Sequence, residues 1–419
     1  MDRRNVLKAG VAASASLMLP RGFGHANAQA SDIKIGFMAP LTGVAAAAGK
    51  EAVEGFELYW KKQNNLSAGR AVTIIVEDDA GNPNTALQKA RRLVEQSKVD
   101  FLIGNVLANT GLAVAEYVAG NGVPYFAPII AADDLTQRNR IPNVVRIAGF
   151  SASQLPRPLA DYAYKKLGKR KVATIAQDYS FGHENCGGFA QTFSEAGGSV
   201  ALQLWNPLNT ADFGPYLAQI AEAGVDAVFA TELGADGNRF LKQWSAFGLK
   251  DKITLLGAIN LTDQGVIRTL TSAEATGVLS SGHVAEGSDV ADVQSFVKVY
   301  EQAYSRIPSL MGFSFYSGAM WVDLAIQGVG GKLDDRAKFL EAVRKVALNN
   351  SPFGRPVRLD DYGNPIYDVF IREVKARPDG KLWNVPIDTY QNVSQFWTYD
   401  PATYLKQPTY SRDFQGIKK

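Results

Sequence analysis

The stretch Asp100–Thr136, DFLIGNVLANTGLAVAEYVAGNGVPYFAPIIAADDLT, has the pattern of a strand, a loop, a helix, a second strand and a second loop. Residues 101–104 form a short apolar run, and Gly122–Pro128 predicts the next strand, with prolines suited to its ends. In an open parallel sheet, ligands bind beyond the carboxyl ends of strands, where N–H groups at helix N-termini point outward. The loops 105–110 and 129–134 follow two such ends, and we therefore expect the binding site there.

The alternation of short β-branched strands with amphipathic helices extends in both directions from this stretch. It begins at Asp32 and runs through two sets of units that meet near Ser153, which predicts two Rossmann-like lobes of an α/β protein. The alternation then stops, and a strand over 276–284, three helices and a hairpin with its turn at 363–365 are predicted. Lys381–Lys419 has weak periodicity, and we expect an ordered extension on the surface.

The first 28 residues have the organisation of an export signal. A charged start precedes the apolar run Ala9–Leu19, which is too short to span a bilayer, and an A-x-A cleavage pattern follows at Ala26–Ala28. The Arg3-Arg4 pair is similar to a twin-arginine signal, although Val6 stands where that pattern prefers Phe. An ordinary Sec signal is the alternative. Both predict cleavage near Ala28 and a mature chain in a bacterial periplasm.

Charge and composition exclude several classes of function. The signal holds four of the 44 Lys and Arg and one of the 41 Asp and Glu, which leaves 40 of each in the mature chain. A neutral balance gives no support to a nucleic-acid or membrane partner. The single cysteine, Cys186, cannot form an intramolecular disulfide and is expected to be a buried structural residue. No metal or cofactor motif is present, and no cofactor is expected.

Several short motifs occur in a characteristic order along the chain. Each is weak evidence alone, but together they indicate a resemblance to a known family. They are Ala39-Pro40-Leu41-Thr42-Gly43, Asp78-Asp79-Ala80, Asn82-Pro83, Leu102-Ile103-Gly104, Val123-Pro124, Ala127-Pro128, Leu135-Thr136, Arg146, Phe181-Gly182, Asp212-Phe213, Asp226-Ala227-Val228, Phe353-Gly354 and Asp361-Tyr362-Gly363. With the export signal, they make the chain resemble the periplasmic solute receptors of ABC importers, of the leucine/isoleucine/valine-binding type, over roughly residues 33–369.

The resemblance implies an α/β fold of two Rossmann-like lobes with parallel central sheets, joined by three hinge crossings, with the ligand in the cleft between them. Each lobe is then discontinuous. We expect residues 29–150 and about 281–350 in lobe I, residues 151–280 and about 351–390 in lobe II, and a C-terminal extension over 391–419. The resemblance also implies hinge closure on a small molecule, a permease in the inner membrane as partner, a monomeric state and no enzymatic activity.

The implied ligand site lacks the groups that would hold an α-ammonium. In the amino-acid receptors a Ser hydroxyl and a helix N-terminus hold the carboxylate, at the place of Ala108 here, next to Asn109 and Thr110. A Thr and an acidic residue hold the ammonium, at the places of Ala131 and about Ile259. Because a buried ammonium without charged partners costs several kcal/mol, we expect a hydrophobic or aromatic carboxylic acid as the ligand.

The pocket around that ligand is expected to be apolar. Ala48 stands where the amino-acid receptors carry a bulky wall residue, and Ile129 and Ile130 lie in the second loop. An aromatic ring from lobe II is expected to stack on the ligand, because it gives contact area at a small entropic cost. From lobe II the resemblance implies contacts by Tyr179 or Phe181, and Leu233 and Asn260 end other strands of that lobe, where they could touch the ligand. Tyr316, near the start of the predicted helix 315–329, is a further candidate.

Three alternatives stay open. A one-residue slip in the correspondence would let Asp133, Asp134 or Glu232 supply the missing carboxylate, and the chain would then bind a branched-chain or aliphatic amino acid or an amide. A secreted hydrolase is disfavoured because the mature chain has two histidines, His183 and His283, and lacks a Gly-x-Ser-x-Gly elbow, a His-Glu-x-x-His motif and a phosphate loop. A ligand domain of a signalling sensor would share the same fold.

Overall fold

Six strands form the first sheet of the computed structural model, which describes residues 32–43 and 45–417. The predicted export signal lies outside the described residues. The strands are β1 (Ile33–Ala39), β2 (Leu66–Ser67), β3 (Arg70–Asp78), β4 (Phe101–Gly104), β5 (Tyr125–Phe126) and β6 (Val144–Val145), in the order β2-β3-β1-β4-β5-β6. β1 runs parallel to β3 and β4, and all its residues except Lys34 are buried, as expected for a central parallel strand covered on both faces.

Nine strands form the second sheet, and its first five strands run parallel to their neighbours. They are β7 (Lys171–Gln177), β8 (Ser199–Asn206), β9 (Ala227–Thr231), β10 (Thr254–Gly257), β11 (Leu279–Gly282), β12 (Ala347–Leu348), β13 (Val357–Leu359), β14 (Pro365–Ala376) and β15 (Leu382–Val393). Their order is β12-β13-β14-β11-β10-β9-β7-β8, and β15 also pairs with β14. β13 and β14 form the predicted hairpin, and β14 runs antiparallel to β11 and β15.

Helices cover the faces of both sheets. They are α1 (Ala46–Lys62), α2 (Pro83–Arg91), α3 (Ala108–Ala119), α4 (Pro156–Lys165), α5 (Ser180–Glu195), α6 (Gly214–Glu222), α7 (Gly234–Ala246), α8 (Gln264–Ile267), α9 (Ser272–Ala275), α10 (Ala291–Tyr304), α11 (Leu310–Gly328), α12 (Arg336–Lys345) and α13 (Pro401–Tyr404). A π-helical segment, Arg92–Gln96, continues α2, and a short 3-10 helix spans Asp133–Leu135. Within the described ranges, no helix combines the length and the apolar character needed to cross a bilayer.

The first sheet is completed by helices from a distant part of the chain. The ring of Phe37 on β1 lies 5.0 Å from that of Phe56 on α1 and 5.3 Å from that of Phe315 on α11. Phe339 on α12 packs at 5.5 Å against Phe101 of β4. We call this sheet with α1–α3 and α10–α12 lobe I, and the nine-stranded sheet with α4–α9 lobe II. The predicted α/β class with two lobes is confirmed, while the boundaries given above for each lobe stay predictions.

The chain passes between the two sheets three times, after β6, after β11 and after α12. Each crossing contributes one ring to a buried group that we call the hinge cluster, which consists of Phe150, His283, Phe353 and Tyr367. The His283 ring lies 5.4 Å from Phe150, 5.3 Å from Phe353 and 4.3 Å from Tyr367 of β14. The three crossings are therefore packed against one another and not separated by solvent.

The segment Lys381–Lys419 differs from the expectation of a surface extension. Residues 382–393 form the edge strand β15, which pairs with β14. Its hydrophobic alternation is weak because many of its side chains are only half-buried. Beyond it, Tyr404 and Tyr410 are 1 % and 6 % exposed, and both hydroxyls accept hydrogen bonds from the buried Arg157 of α4. This segment is thus part of the packed structure of lobe II.

Candidate ligand-binding site

A cavity of about 490 Å³ lies at the carboxyl ends of strands from both sheets. Its lining comes mainly from the segments that follow β4 and β5 in lobe I and β7, β9 and β10 in lobe II. This is the position that an open parallel sheet gives to ligands. The apolar lining residues are Ala45, Ala47, Ala48, Val106, Leu107, Ala108, Ile129, Ala131 and Phe150, with Tyr179, Phe181, Leu233, Gly234, Ala235, Val266, Leu310 and Met311.

Seven of the ten predicted site residues line this cavity. They are Ala108, Ile129 and Ala131 from lobe I and Tyr179, Phe181, Leu233 and Asn260 from lobe II, and Ala48 lines it as well. They come together because each follows the end of a parallel strand, and those ends meet in the cleft. These residues are up to 152 positions apart in the sequence, as Ala108 and Asn260 are, and the topology of the sheets brings them together.

The other three predicted residues do not contribute to the lining. Asn109 is exposed, and its side-chain oxygen accepts the N–H of Thr110 at 2.9 Å. Thr110 is buried, and its hydroxyl donates to the Leu107 carbonyl at 2.8 Å. Ile130 is fully buried in the core of lobe I, on the opposite side of the loop from Ile129. Adjacent residues of an extended loop point in opposite directions, so only Ile129 and Ala131 face the cavity.

The N-terminus of α3 offers backbone donors to the cavity. α3 starts at Ala108, within the predicted loop 105–110, and its N-cap residue Leu107 is extended and has no capping side chain. The first N–H groups of a helix have no intrahelical partner and carry a partial positive charge. The first turn also contains no acidic residue. This end of the cavity can therefore accept a carboxylate.

Aromatic rings form the wall opposite α3. Tyr179 is the extended N-cap residue of α5, Phe181 lies in its first turn, and their ring centroids are 6.1 Å apart with an interplanar angle of 36°. Phe150 of the first crossing adds a third ring, which ties the lining to the hinge cluster. Flat apolar walls of this kind suit a planar or branched apolar ligand.

Two acidic residues line the cavity, and both are already hydrogen-bonded across the cleft. Glu51 on α1 of lobe I accepts two hydrogen bonds from Arg268 of lobe II, at 2.5 and 3.2 Å. Asp263 of lobe II accepts the N–H of Leu310 of lobe I at 2.6 Å and that of Gly265 at 2.9 Å. Burial raises the pKa of Asp263 to about 6. These contacts join the lobes at the cavity.

The acidic residues considered in the alternative correspondence have other partners. Asp133 accepts the Ser151 hydroxyl at 2.7 Å, and Asp134 pairs with Arg138 at 3.0 Å. Glu232 is fully buried, which raises the pKa of its carboxyl well above the usual range. None of the three lines the cavity. Tyr316 also lies outside the lining, with its hydroxyl 3.3 Å from the Lys62 amine.

Several lining residues were not predicted from the sequence. Glu51 lies on α1, which follows the carboxyl end of β1, whereas Ser309, Leu310 and Met311 lie at the start of α11, which follows a helix and not a strand. A helix start at Ser309 could have been inferred from its N-cap preference, but its approach to Asp263 depends on the return crossing. Asn238 and Arg239 lie one turn inside α7 and could have been inferred from its N-terminus.

Comparisons with known proteins agree with this geometry. The profile of a family described as periplasmic binding protein matches residues 32–381. The Leu/Ile/Val-binding protein homolog 6 of Brucella suis biovar 1 is 30 % identical over 376 residues, covering 87 % of this chain and 93 % of the relative.

Two solved structures of solute-binding proteins of ABC transporters are similar to the chain. One, from Rhodopseudomonas palustris BisB5 in complex with 3,4-dihydroxybenzoic acid, has a TM-score of 0.82 and 28 % identity, and the match covers 87 % of this chain and 98 % of the other. The second, from R. palustris in complex with benzoate, has a TM-score of 0.79 and 28 % identity, with 86 % and 98 % covered.

Proposed function

Since the chain belongs to the family of periplasmic binding proteins, we propose that its cleft binds a small hydrophobic or aromatic carboxylic acid without an α-ammonium group. The chain is a substrate-binding protein of an ABC transporter, a class of receptors that bind small molecules and work with membrane permeases. We further propose that it is exported to the periplasm, cleaved near Ala28, and recognised as a closed monomer by an inner-membrane permease.

The observation that carries the proposal is the pairing of both acidic residues in the cavity lining. Glu51 is held by Arg268, and Asp263 accepts two backbone N–H groups, so no carboxylate of the described lining is left without a partner. An α-ammonium would have to compete with these donors for a carboxylate or stay unpaired, and an unpaired buried ammonium costs several kcal/mol. A carboxylate, in contrast, meets the open N–H groups of α3. Bound benzoate and 3,4-dihydroxybenzoic acid in similar receptors favour the same class.

A second candidate is a receptor for a branched-chain or aliphatic amino acid or an amide. The name of the Brucella suis relative favours it. It requires that Asp263 or Glu51 exchange its present partner for the ammonium.

A thermal-shift screen with matched ligand pairs tests the proposal on the purified mature protein. Each pair differs only in the amine: leucine with 4-methylpentanoate, and phenylalanine with 3-phenylpropanoate, while benzoate and benzamide separate acid from amide. A ligand at 100 times its Kd stabilises the folded state by about 2.7 kcal/mol. We expect benzoate or another amine-free acid to raise the Tm and its matched amino acid or amide to leave it unchanged.

The opposite result within a pair contradicts the proposal. Stabilisation by leucine or phenylalanine, and not by the matched acid, means that an acidic residue reaches the ammonium. An increase in Tm with benzamide equal to that with benzoate means that the carboxylate charge is not read by α3.

A further inference from the structure

Two buried polar atoms in the cavity lining, the Ser309 hydroxyl oxygen and the Asn260 amide nitrogen, have no hydrogen-bond partner within residues 32–43 and 45–417. Ser309 is the N-cap residue of α11 and is 2 % exposed, yet its hydroxyl makes no capping or other hydrogen bond. The amide nitrogen of Asn260 is buried and unpartnered, while its amide oxygen accepts the Thr231 hydroxyl at 3.2 Å. Buried polar groups are nearly always hydrogen-bonded in native proteins, so an unpaired donor in a ligand cavity indicates a ligand contact.

The neighbouring polar residues of the lining are satisfied within lobe II. Asn238 donates to the Val266 carbonyl at 3.1 Å and to the Thr269 hydroxyl at 2.9 Å. Arg239 donates to the Thr210 carbonyl at 2.8 Å and pairs with Asp236. Ser309 and Asn260 therefore differ from Asn238 and Arg239, and they differ from Tyr179, whose ring is half-buried, because their unpartnered atoms are buried.

Asp263 brings these two groups to the same end of the cavity. Its N–H donates to the Asn260 carbonyl at 3.3 Å, and its carboxylate accepts the N–H of Leu310, the residue after Ser309, at 2.6 Å. One group comes from lobe II and the other from lobe I, so a ligand atom between them would contact both sides of the closed cleft.

The surroundings select the kind of ligand group that this end can bind. Asp263 places a carboxylate beside both groups, which disfavours a second carboxylate here, whereas the first turn of α3 has no acidic residue. The Asn260 amide nitrogen needs an acceptor, and the Ser309 hydroxyl can donate or accept. A neutral hydroxyl meets both requirements.

We propose that Ser309 and Asn260 bind a hydroxyl group on the ligand, and that the preferred ligand is a hydroxylated aromatic acid whose carboxylate faces α3. This inference rests on the proposed function. It assigns the two residues a role in specificity, because they discriminate between an unsubstituted acid and its hydroxylated form.

Isothermal titration calorimetry of the mature protein with benzoate, 3-hydroxybenzoate and 4-hydroxybenzoate tests the inference. We expect one hydroxylated acid to bind about threefold to tenfold more tightly than benzoate for each hydrogen bond gained. Ser309→Ala and Asn260→Leu should each remove about that factor from the preference while leaving the Kd for benzoate nearly unchanged. Ser314→Ala is the matched control, because Ser314 is an equally buried, unpartnered serine of α11 outside the lining.

Each other result overturns a defined part of the argument. Equal binding of benzoate and both hydroxylated acids, or a preference that survives both substitutions, contradicts the role of Ser309 and Asn260 and leaves the proposed function standing. If none of the three acids binds and leucine does, the proposed function fails and the inference fails with it.

Discussion

Tyr179 and Phe181 provide apolar contact area at the start of α5. Both rings line the cleft, and both residues are only half-buried in the closed structure, so they take little part in the core of lobe II. Their position at a helix N-terminus keeps the backbone fixed while the rings face the ligand.

We predict that Phe181→Ala and Tyr179→Ala each weaken binding of the aromatic acid by about 1–2 kcal/mol, a five- to thirtyfold rise in Kd. The Tm without ligand should change little. Calorimetric titration of each variant measures the effect, and Phe247→Ala is the control, because Phe247 is 48 % exposed on lobe II outside the cavity. Unchanged binding in both cleft variants would contradict the assigned contacts.

His283 gives the hinge cluster a dependence on pH. Burial, with the positive charge of Arg372, lowers the pKa of its imidazole to about 3, against about 6.5 in an unfolded chain. Between these values the unfolded chain binds a proton that the folded chain does not. The free energy of unfolding therefore falls as the pH drops from 6.5 toward 3, by up to about 1.4 kcal/mol per pH unit.

We predict that His283→Phe removes this contribution while keeping a ring in the cluster. Urea denaturation from pH 7 to pH 4 should show the variant gaining stability relative to the parent as the pH falls. Two stability curves that stay parallel over this range would contradict the prediction.

Strands whose side chains are buried on both faces of a sheet could be predicted from the sequence. β1 and β7 fall in the predicted alternation of strands and helices, because both are apolar runs covered on two faces. β15 was not predictable, since an edge strand with half-buried side chains has little hydrophobic alternation. The predicted strand over 122–128 shrinks to Tyr125–Phe126, because only these residues find ladder partners on both sides.

The residues of the binding site also include some that could be predicted from the sequence and some that could not. Residues that follow strand ends, such as Ala108, Tyr179 and Asn260, could be predicted because topology alone brings them together. Ser309 reaches the cavity through the packing of α11 in lobe I, which is a long-range property without a local pattern, whereas Glu51 follows the end of β1 and could have been inferred with Ala48.

Arg157, on α4, forms hydrogen bonds with the segment that follows β15. Its guanidinium is fully buried and donates to the hydroxyls of Thr192, Tyr399, Tyr404 and Tyr410 at 2.7–3.3 Å. The guanidinium carbon Cζ of Arg157 also lies 5.0 Å from the centroid of the Tyr399 ring. Removing this side chain leaves several buried hydroxyls without a donor.

We predict that Arg157→Ala lowers the free energy of unfolding by about 3–5 kcal/mol and exposes the segment after Val393 to proteases. Urea denaturation and limited proteolysis measure the two effects. Arg170→Ala is the matched control, because Arg170 also lies over a tyrosine ring, at 4.1 Å from Tyr164, but is exposed. An equal free energy of unfolding for both variants would contradict the stabilising role of Arg157.

For the molecule as a whole, the Glu51–Arg268 pair connects the two lobes. The pair, at 2.5 Å, links α1 of lobe I to the residue that follows α8 of lobe II, so it contributes to the contact between the lobes and not to either lobe alone. Arg306 of lobe I lies 3.6 Å from the same carboxylate.

We predict that Glu51→Gln accelerates ligand release about tenfold, the effect of losing about 1.4 kcal/mol of closed-state stabilisation. Stopped-flow fluorescence with a competing ligand measures the rate. Glu57→Gln is the control, because Glu57 lies on the same helix and pairs with Lys61 at the surface. A release rate equal to that of the control would mean that the pair does not hold the cleft closed.

β14 and β15 belong to the second sheet but come late in the chain, so this sheet cannot be completed until most of the protein has been synthesised. The sheet begins with β7 at Lys171 and is finished only by β15, which ends at Val393, 222 positions later. At about 5–20 residues per second, a ribosome needs roughly 10–45 s to make that stretch. β11 ends at Gly282 and β14 starts at Pro365, so the edge of β11 that receives β14 stays open for about 4–17 s, while these 83 positions are made. The sheet of lobe II is therefore completed only late in synthesis, and until then an unpaired strand edge is available to chaperones.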